Sequence, residues 1–423
     1  MNFELTGYIT PVSRFSWFAA SAALLAGSWV SAVGQRTDAF VGSRNHPAIA
    51  YGSAPTQTAV THLNERLATG ALTLRFDSQT GYLPAVLEAL DVPVSSQVLV
   101  YSQTSFQASK INQQNPRALY FNDTVAVGWV RGADLLEITA QDPRQGTIFY
   151  AIPQLPSERP LFGRQEHCVS CHLTWDTLGV PGPTVKTTFA RKTMDGFANG
   201  GPVDHRSPIA DRWGGWFVTG AAVPEPHRGN VELIQPVPRT GPAPKLTSVT
   251  GEFDTTGYLA ATSDIVALMV LEHQAHATNL MTRLNWETRL GDEARLGEAA
   301  AALADYLLFV DEAPLTDRIE GTSGFAAVFS ARGPRDAQGR SLRDLALVGR
   351  LMRHPLSYMI YTPMFDALPN EARGLVVERL AAVLMGRDTA PRYAHLRPES
   401  RHAILEILRE TKASLADAIR SRG

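Results

Sequence analysis

The sequence predicts an α+β fold, with strands concentrated in the first half of the chain and helices in the last third. Three observations lead to this prediction. Residues 36–160 contain short runs rich in Val, Ile, Tyr and Phe that alternate with turn signals. Residues 161–256 are loop-rich and dense in Gly, Pro, Trp and His, whereas residues 257–423 place apolar side chains at helical spacing. We expect these parts to pack as one unit rather than as independent domains.

The composition is that of an ordinary globular protein. Of the 423 residues, 44% are hydrophobic and 19% are charged, which is enough apolar material for a sizeable core. The formal net charge is -2 and the chain has no basic run, so we do not expect nucleic acid as a partner. The sequence shows neither an internal repeat nor a low-complexity tract.

Residues 1–34 have the features of a secretory signal peptide or an N-terminal membrane anchor. Arg14 is followed by a long, nearly uncharged apolar run. Small residues occupy the positions that a signal peptidase requires, either Val30 and Ala32 or Ala32 and Gly34. A cleaved signal is the favoured interpretation, and an anchor is the alternative because the run is just long enough to span a bilayer. Either one predicts a periplasmic protein, which contacts a membrane only if the segment is uncleaved.

The strand-rich part is typical of an antiparallel meander, most clearly in RALYFNDTVAVGWVRGADLLEITAQDPRQGTIFYAI. Turn-forming pairs divide its apolar runs, namely Asn122-Asp123, Arg131-Gly132 and Asp142-Pro143. SSQVLVYSQTSF predicts a further strand. QTAVTHLNERLATG predicts a short helix that ends at Gly70.

A long helix is predicted to begin near Ser263 or Asp264, which are good N-caps. Four residues share one of its faces: Met269, His273, His276 and Leu280. Further helices are predicted from GEAAAALADYLLFV, SLRDLALVGRLMRH, NEARGLVVERLAAVLMG and PESRHAILEILRETKASLADAIR. Ser341 and Asn370 are predicted N-caps, and Gly386 is a predicted helix stop.

The two cysteines of the chain form one short motif, CVSCH, in which His172 directly follows the pair Cys168 and Cys171. A redox dithiol uses only the cysteines and is expected in a βαβ context, which the sequence lacks. A structural zinc site needs three or four ligands, and the chain has no second cysteine pair. Covalent attachment of haem c uses all three residues, since the thiols bind the vinyl groups and the His coordinates iron.

Haem attachment is therefore the favoured interpretation of the motif. In bacteria haem c is attached outside the cytoplasm, which agrees with the export predicted from the N-terminus. We expect one covalent haem per chain.

The second axial ligand is the least determined part of the predicted site. Haem c proteins that carry electrons usually have Met or His opposite the proximal His. His205, in GPVDHRSP, is the leading candidate and Met194, in RKTMDG, is the next. The other candidates are His227, Met269, His273 and His276, and an open site is a further alternative. Each has an ordinary interpretation too, because a single Met commonly fills a core and a single His is commonly a hydrogen-bonded group.

The segment DRWGGWFVTG supports two interpretations. Trp213 and Trp216 either form an aromatic wall beside the porphyrin, with the intervening glycines permitting close backbone approach, or pack in the core. Three arginines are candidate partners for haem propionates, with ordinary surface positions as the favoured alternative: Arg206, Arg212 and Arg228.

Several stretches together resemble a family of exported bacterial proteins that are described only as containing a cytochrome c domain. These stretches are SSQVLVYSQTSFQ, PRALYFNDTVAVGWV, LEITAQDP, CVSCH, HRSPIADRWGGWFVTG, HRGN, ALMVLEHQ and PLSYMIYTPMFDALP. The resemblance runs from about residue 85 to about residue 410. It is distinct from the small soluble cytochromes c, in which one helical domain surrounds the haem.

The resemblance implies one covalent haem c, a periplasmic location and electron transfer, without an established substrate. Its motif residues are Cys168, Cys171 and His172, and His205 and His227 match positions that are typical of the family. The family pattern also has a His immediately before the Asn that corresponds to Asn279, where this chain has Thr278.

The leading hypothesis is an exported mono-haem cytochrome that exchanges single electrons with a redox partner protein. The alternative is a haem enzyme of peroxidase or oxygenase type, in which a His such as His205 acts as acid or base in an open distal site. The size of the chain motivates this alternative, since one haem carrier needs far fewer residues. A third hypothesis is a structural or sensor module that docks on a membrane redox partner.

Overall fold

The computed structural model describes residues 40–103, 105–189, 200–233 and 241–422. The predicted signal or anchor, residues 1–34, lies outside the described residues, and so does Met194. Within the described ranges, every helix is too short or too polar to cross a bilayer.

A six-stranded antiparallel sheet, with its strands in chain order, forms the first half of the fold. Its strands are β1 (Val98–Val100), β2 (Arg117–Phe121), β3 (Val125–Trp129), β4 (Leu135–Asp142), β5 (Gly146–Pro153) and β6 (Gly163–Arg164). The predicted meander is confirmed as β2 to β5. Asp142 explains one of its turns, because its Oδ1 accepts hydrogen bonds from the amides of Arg144 and Gln145.

One face of the sheet packs on two helices that precede it, α1 (Ala59–Ala68) and α2 (Leu83–Ala89). Thr58 caps α1 by accepting from the amide of Thr61, and Gly70 follows the end of this helix with a φ of 74°, as predicted. Residues 40–45 are helical as well.

The remaining helices follow the sheet along the chain. They are α3 (Val169–His172), α4 (Ile265–Leu290), α5 (Glu293–Leu307), α6 (Phe325–Ala331), α7 (Pro363–Asp366), α8 (Asn370–Leu384), α9 (Pro398–Thr411) and α10 (Ala413–Arg420). The α+β class is therefore confirmed, with helices concentrated in the C-terminal part.

Helix α4 is buried on nearly all sides because it lies between the second face of the sheet and the other C-terminal helices. Gln274 Nε2 donates to the carbonyl of Asn122 at the end of β2. At the start of β5, a Cβ on Gly146 would lie only 2.3 Å from Thr282 Cγ2, so glycine permits the close approach of helix and sheet. Asp264 is the N-cap, as predicted.

Two small antiparallel strand pairs complete the described structure, and the second of them is a hairpin. They are β7 (Lys186–Thr188) with β8 (Gly200–Pro202), and β9 (Leu345–Val348) with β10 (Arg350–Met352). This hairpin shows that the predicted helix in SLRDLALVGRLMRH, with Ser341 as its N-cap, is wrong. Leu347 and Gly349 have φ values of 58° and 75°, which an α-helix excludes. Arg343 is also drawn to the sheet, where its Nη1 lies 2.7 Å from Asp123 Oδ2.

The ends of the last helices agree closely with the sequence. Pro369 rather than Asn370 is the N-cap of α8, and Gly386 follows its end with a φ of 77°. The last predicted helix is divided at Lys412, whose φ of -152° interrupts it between α9 and α10.

Candidate cofactor attachment site

A 3-10 turn at Glu166–Cys168 follows β6 and leads directly into α3, and together these two turns carry the cysteine motif. Glu166 fixes the chain just before it, through ion pairs of 3.1 Å with Arg44 and 2.7 Å with Arg164. Cys168 is half-buried, Cys171 is exposed, and both thiols are free of disulfide bonds. The two sulfur atoms are therefore available for covalent chemistry.

His172 is held by a loop that returns to it. Its Nδ1 lies 2.9 Å from the carbonyl oxygen of Gly182. A carbonyl oxygen only accepts, so Nδ1 carries the proton and Nε2 keeps a free lone pair. The amide of Gly182 donates in turn to the carbonyl of His172 over 2.9 Å. A hydrogen bond of this kind fixes the tautomer and orientation of metal-ligating histidines.

The loop owes its path to two local features. A reciprocal pair of hydrogen bonds joins Thr174 and Thr177, and Leu178 then reverses the chain with a φ of 61°. Helix α4 supports the far end of the loop, because Asn279 Nδ2 donates to the carbonyl of Pro183 over 2.9 Å. Gly182 packs so closely on this amide that a Cβ there would lie 1.9 Å from Asn279 Oδ1.

The electrostatic surroundings lower the pKa of the His172 imidazole and raise that of the Cys168 thiol. Burial lowers the pKa of His172, against the opposing effect of the bond to Gly182, so the ring is neutral near pH 7. Burial, reinforced by the Glu137 carboxylate, raises the pKa of Cys168 to about 11. Neutral imidazole suits metal ligation, whereas a reactive redox thiol requires a lowered pKa.

The second face of the sheet, which α4 covers in part, stays partly uncovered beside the motif. The ring of His172 packs on Phe149 of β5, with 4.9 Å between ring centroids. On the same face, the neighbouring strands carry residues that stay half-buried or have little side chain. We call this surface the open sheet face; it consists of Leu119, Ala126, Gly128, Glu137 and Thr139.

Arg117 lies along the open sheet face and is a residue that the sequence did not single out. Its Nη2 is 2.7 Å from Glu137 Oε2, and the two side chains are 21% and 20% exposed. Its guanidinium occupies the space over Gly128, where a Cβ would lie 2.3 Å from Nη2. The one sequence signal is the glycine itself, since glycine within a strand pattern often marks a close approach.

The leading distal candidate, His205, lies in a buried aromatic cluster. Its Nδ1 is 2.8 Å from Nδ1 of His273, whose Nε2 is 2.7 Å from Ser357 Oγ. Both rings pack on Tyr306 and Phe309. His205 Nε2 is buried and has no partner among the described residues. Ligation of iron by His205 stays a prediction.

His276 faces a cavity of about 370 Å³ that Asp204, Arg206 and Trp175 also line. Arg206 Nη2 donates to His276 Nε2 over 3.0 Å, and the same guanidinium forms two hydrogen bonds with Asp204. Burial lowers the pKa of His276 to about 4, against the opposing charge of Asp204, so this ring is neutral as well.

The other distal candidates, His227 and Met269, are buried, and ligation of iron by either stays a prediction. Like that of His205, the Nε2 of His227 has no hydrogen-bond partner among the described residues. His227 packs on Trp213 with 5.4 Å between centroids, and burial lowers its pKa to about 4. Met269 is buried in the helical core. In the ranges that the structure describes, no hydrogen bond or ring contact joins His172 to a candidate histidine; these are His205, His227, His273 and His276.

Trp213 and Arg212 belong to the core rather than to a surface. Glu272 accepts hydrogen bonds from Trp213 Nε1 over 2.7 Å and from Arg212 Nη1 over 2.9 Å, and all three side chains are buried. The surface interpretation is thus wrong for Arg212, since its ion pair with Glu272 is inaccessible to solvent. Burial raises the pKa of Glu272 to about 7 despite the opposing charge of Arg212.

Gly214, between the two tryptophans, permits a close approach to the backbone of strand β7, whereas approach of this segment to a porphyrin stays a prediction. A Cβ on Gly214 would lie 2.0 Å from the carbonyl oxygen of Thr188 in β7. Trp216 Nε1 donates to the carbonyl of Lys186 in the same strand. Arg228 is a surface residue that pairs with Asp211 over 2.9 Å.

Comparison with known proteins leaves the site to be interpreted from its own geometry. The chain matches none of the protein-family models, curated proteins or solved structures with which it was compared. The described part of the chain also lacks a group of three or more His, Cys, Asp or Glu residues arranged to hold a metal ion. The resemblance to exported cytochrome c domain proteins stays a prediction from the sequence.

Proposed function

We propose that the protein is an exported c-type cytochrome that binds one haem covalently and exchanges single electrons with a partner protein in the periplasm. The observation that carries the proposal is the hydrogen bond of 2.9 Å from His172 Nδ1 to Gly182. It leaves Nε2 unprotonated and oriented, directly after two unpaired thiols. These are the features that an axial ligand of haem c needs.

The donor set fits a covalent haem. Cys168 and Cys171 would form the thioether bonds, and His172 would supply one axial ligand. When bound, the haem supplies a one-electron couple at its iron. The chain keeps the imidazole in one tautomer through Gly182 and supports that loop from helix α4 through Asn279.

The chemistry of Cys168 speaks against a redox dithiol. Its pKa is raised to about 11 by burial, so the thiol is almost entirely protonated near pH 7. Thiol-disulfide exchange proceeds through the thiolate, and catalytic dithiols therefore have lowered pKa values.

A haem enzyme is the second candidate, and the cavity beside the motif favours it. Trp175 and Leu178, which closely follow His172 along the chain, line this cavity of about 370 Å³ together with Asp204, Arg206 and His276. A cavity lined by a carboxylate, a guanidinium and a neutral imidazole is a place where a small polar substrate can bind. This candidate predicts a ferric site that binds small oxidants.

The test is to co-express the chain with haem c maturation machinery and to record ferric and ferrous spectra of the purified protein. We expect haem that survives acid extraction in a pyridine haemochrome assay, a low-spin spectrum in both states and a one-electron titration. Replacing both cysteines by Ala should abolish attachment, whereas Ser170→Ala, between them, should not. A high-spin ferric site that binds peroxide or nitrite would favour the enzyme, and absence of covalent haem would overturn both.

A further inference from the structure

Arg117 is a cation built into the sheet beside the cysteine motif. Its guanidinium lies over Gly128, on the face that also carries Leu119 and Glu137. A Cβ at Gly128 would lie 2.3 Å from Nη2, 2.6 Å from Nε and 2.8 Å from Cζ of Arg117. Gly128 lies outside the left-handed region of φ, so space rather than backbone conformation explains the glycine. Any larger residue at position 128 would displace the guanidinium.

Arg117 also has donor capacity that the described residues do not use. Its Nη2 lies 2.7 Å from Glu137 Oε2. Its Nε is buried and has no hydrogen-bond partner among the described residues, and the same holds for Glu137 Oε2, so the two side chains form an ion pair without an aligned hydrogen bond. A buried donor is normally satisfied, and an Arg guanidinium offers a planar edge that matches a carboxylate. The unused donor is therefore available to a further acceptor, and a carboxylate is the acceptor whose shape matches a guanidinium edge.

The cysteine motif lies within electrostatic reach of this pair. His172 packs on Phe149, whose cross-strand partner in β4 is Thr139. Glu137 and Thr139 are adjacent residues on the same face of β4, because side chains alternate along a strand. Arg117 and Glu137 both influence the pKa values of Cys168 and His172, in agreement with this geometry.

We propose that Arg117 binds a propionate carboxylate of the haem and that the open sheet face forms one wall of the haem pocket. This inference rests on the proposed function. Arg206 in the cavity is the competing candidate for binding a propionate. Its guanidinium, however, already forms two hydrogen bonds with Asp204 and a third with His276. Arg117 has the unused buried donor, and it lies beside the residues that would anchor the haem.

The experiment compares two substitutions that remove the guanidinium from this position in different ways. Arg117→Gln removes the charge, and Gly128→Ala keeps every polar group but fills the space that the guanidinium occupies. Arg206→Gln tests the cavity. Gly163→Ala is a control on the same sheet, where a Cβ would have its nearest contact at 3.5 Å. The readouts are the midpoint potential from a spectroelectrochemical titration and the covalent haem content.

We expect Arg117→Gln and Gly128→Ala to lower the midpoint potential, because a cation beside the haem favours the reduced state and offsets the propionate charge. The haem content should stay unchanged, since the thioether bonds remain. Arg206→Gln and Gly163→Ala should both keep the wild-type midpoint potential. Gly128→Ala keeps the inference testable even if Arg117→Gln fails to fold.

Unchanged potentials in both substitutions, with haem bound covalently in the wild type, would overturn this inference and leave the proposed function intact. A lowered potential in Arg206→Gln alone would place the carboxylate in the cavity and would also overturn it. Absence of covalent haem from the wild-type protein would instead overturn the proposed function, and this inference with it.

Discussion

Asn279 supports His172 through the backbone that lies between them. Its side-chain amide donates to Pro183, Gly182 packs against the same amide, and the carbonyl of Gly182 accepts from His172. Three consecutive contacts thus connect helix α4 to the candidate ligand. Because a single hydrogen bond contributes about 1 kcal/mol to stability, we expect Asn279 to affect the orientation of the imidazole more than the fold.

Asn279→Ala should therefore retain covalent haem and lower the free energy of unfolding by only about 1–2 kcal/mol. The loop should hold His172 less firmly, so protons should displace its imidazole from the iron at a higher pH than in the wild type. An acid titration of the ferric protein, followed as the change from a low-spin to a high-spin optical spectrum, measures this difference.

The matched control is Asn285→Ala. Asn285 lies on the same helix and donates to Ala367 over 3.5 Å, a longer contact that is remote from the loop. It should leave the titration unchanged. Equal sensitivity of the two variants to acid would show that Asn279 has no special link to His172.

The sequence identifies the residues that would bind the haem directly, but it does not identify the residues that position them. Cys168, Cys171 and His172 form a motif because their spacing must match the porphyrin edge. Gly182 acts through a carbonyl group that every residue has, so its role has no signature in the sequence. Arg117 was missed for a related reason, because only the fold brings an arginine at the start of β2 over a glycine in β3.

Among the larger elements, helix α4 connects the sheet, the loop of the motif and the C-terminal helices. Its N-cap, Asp264, accepts from the amides of Val266 and Ala267. The second carboxylate oxygen of Asp264 accepts from the amides of Thr322 and Ser323. One carboxylate therefore caps the helix and fixes the distant segment that leads into α6.

Asp264→Ala should destabilise the protein by more than an ordinary cap substitution, about 3 kcal/mol or more, because it leaves several buried amides without acceptors. The control is Asp292→Ala in the N-cap of α5, where the side chain accepts from the amide of Arg295 and forms a half-exposed ion pair with the guanidinium of the same residue. Asp292→Ala should lower the free energy of unfolding by about 1 kcal/mol. Urea unfolding of both variants gives the comparison, and equal losses would contradict the wider role of Asp264.

Elements stabilised by local contacts were predicted well, and the hairpin of β9 and β10 was not. The meander and the N-cap of α4 follow from turn residues and apolar periods within a few positions. The segment SLRDLALVGRLMRH has helical periodicity, but Arg343 pairs with Asp123 and Leu347 takes a left-handed conformation. Such tertiary contacts override local propensity, and a single sequence does not display them.

For the molecule as a whole, buried histidines dominate the expected response to acid. Burial lowers the pKa values of His227 and His276 to about 4 and of His273 to about 3, and places that of His205 well below its ordinary value. These rings are neutral in the folded protein but bind protons near pH 6.5 when unfolded. Their contribution to stability is thus present above pH 6.5 and is lost as the pH falls toward their folded values.

Two buried carboxyl groups act in the opposite direction. Burial raises the pKa values of Glu272 and Glu312 to about 7, so the stability that they contribute is complete below about pH 4.5 and is lost as the pH rises through 7. Between pH 6.5 and 4.5 the four histidines outnumber the two carboxyl groups. The unfolded chain therefore binds more protons than the folded chain in this interval, and the histidines determine the sign of the pH dependence.

We accordingly expect the free energy of unfolding to fall as the pH is lowered from 6.5 to 4.5, by about 1.4 kcal/mol per pH unit for each net proton. Urea unfolding at pH 6.5, 5.5 and 4.5 measures this slope. His276→Gln removes one of the four histidines. The slope of its free energy of unfolding against pH should therefore be smaller by the contribution of about one proton, even if the variant is less stable than the wild type at pH 7. A stability that is constant or rises on acidification would show that the buried histidines are solvated or paired differently from the arrangement seen in the structure.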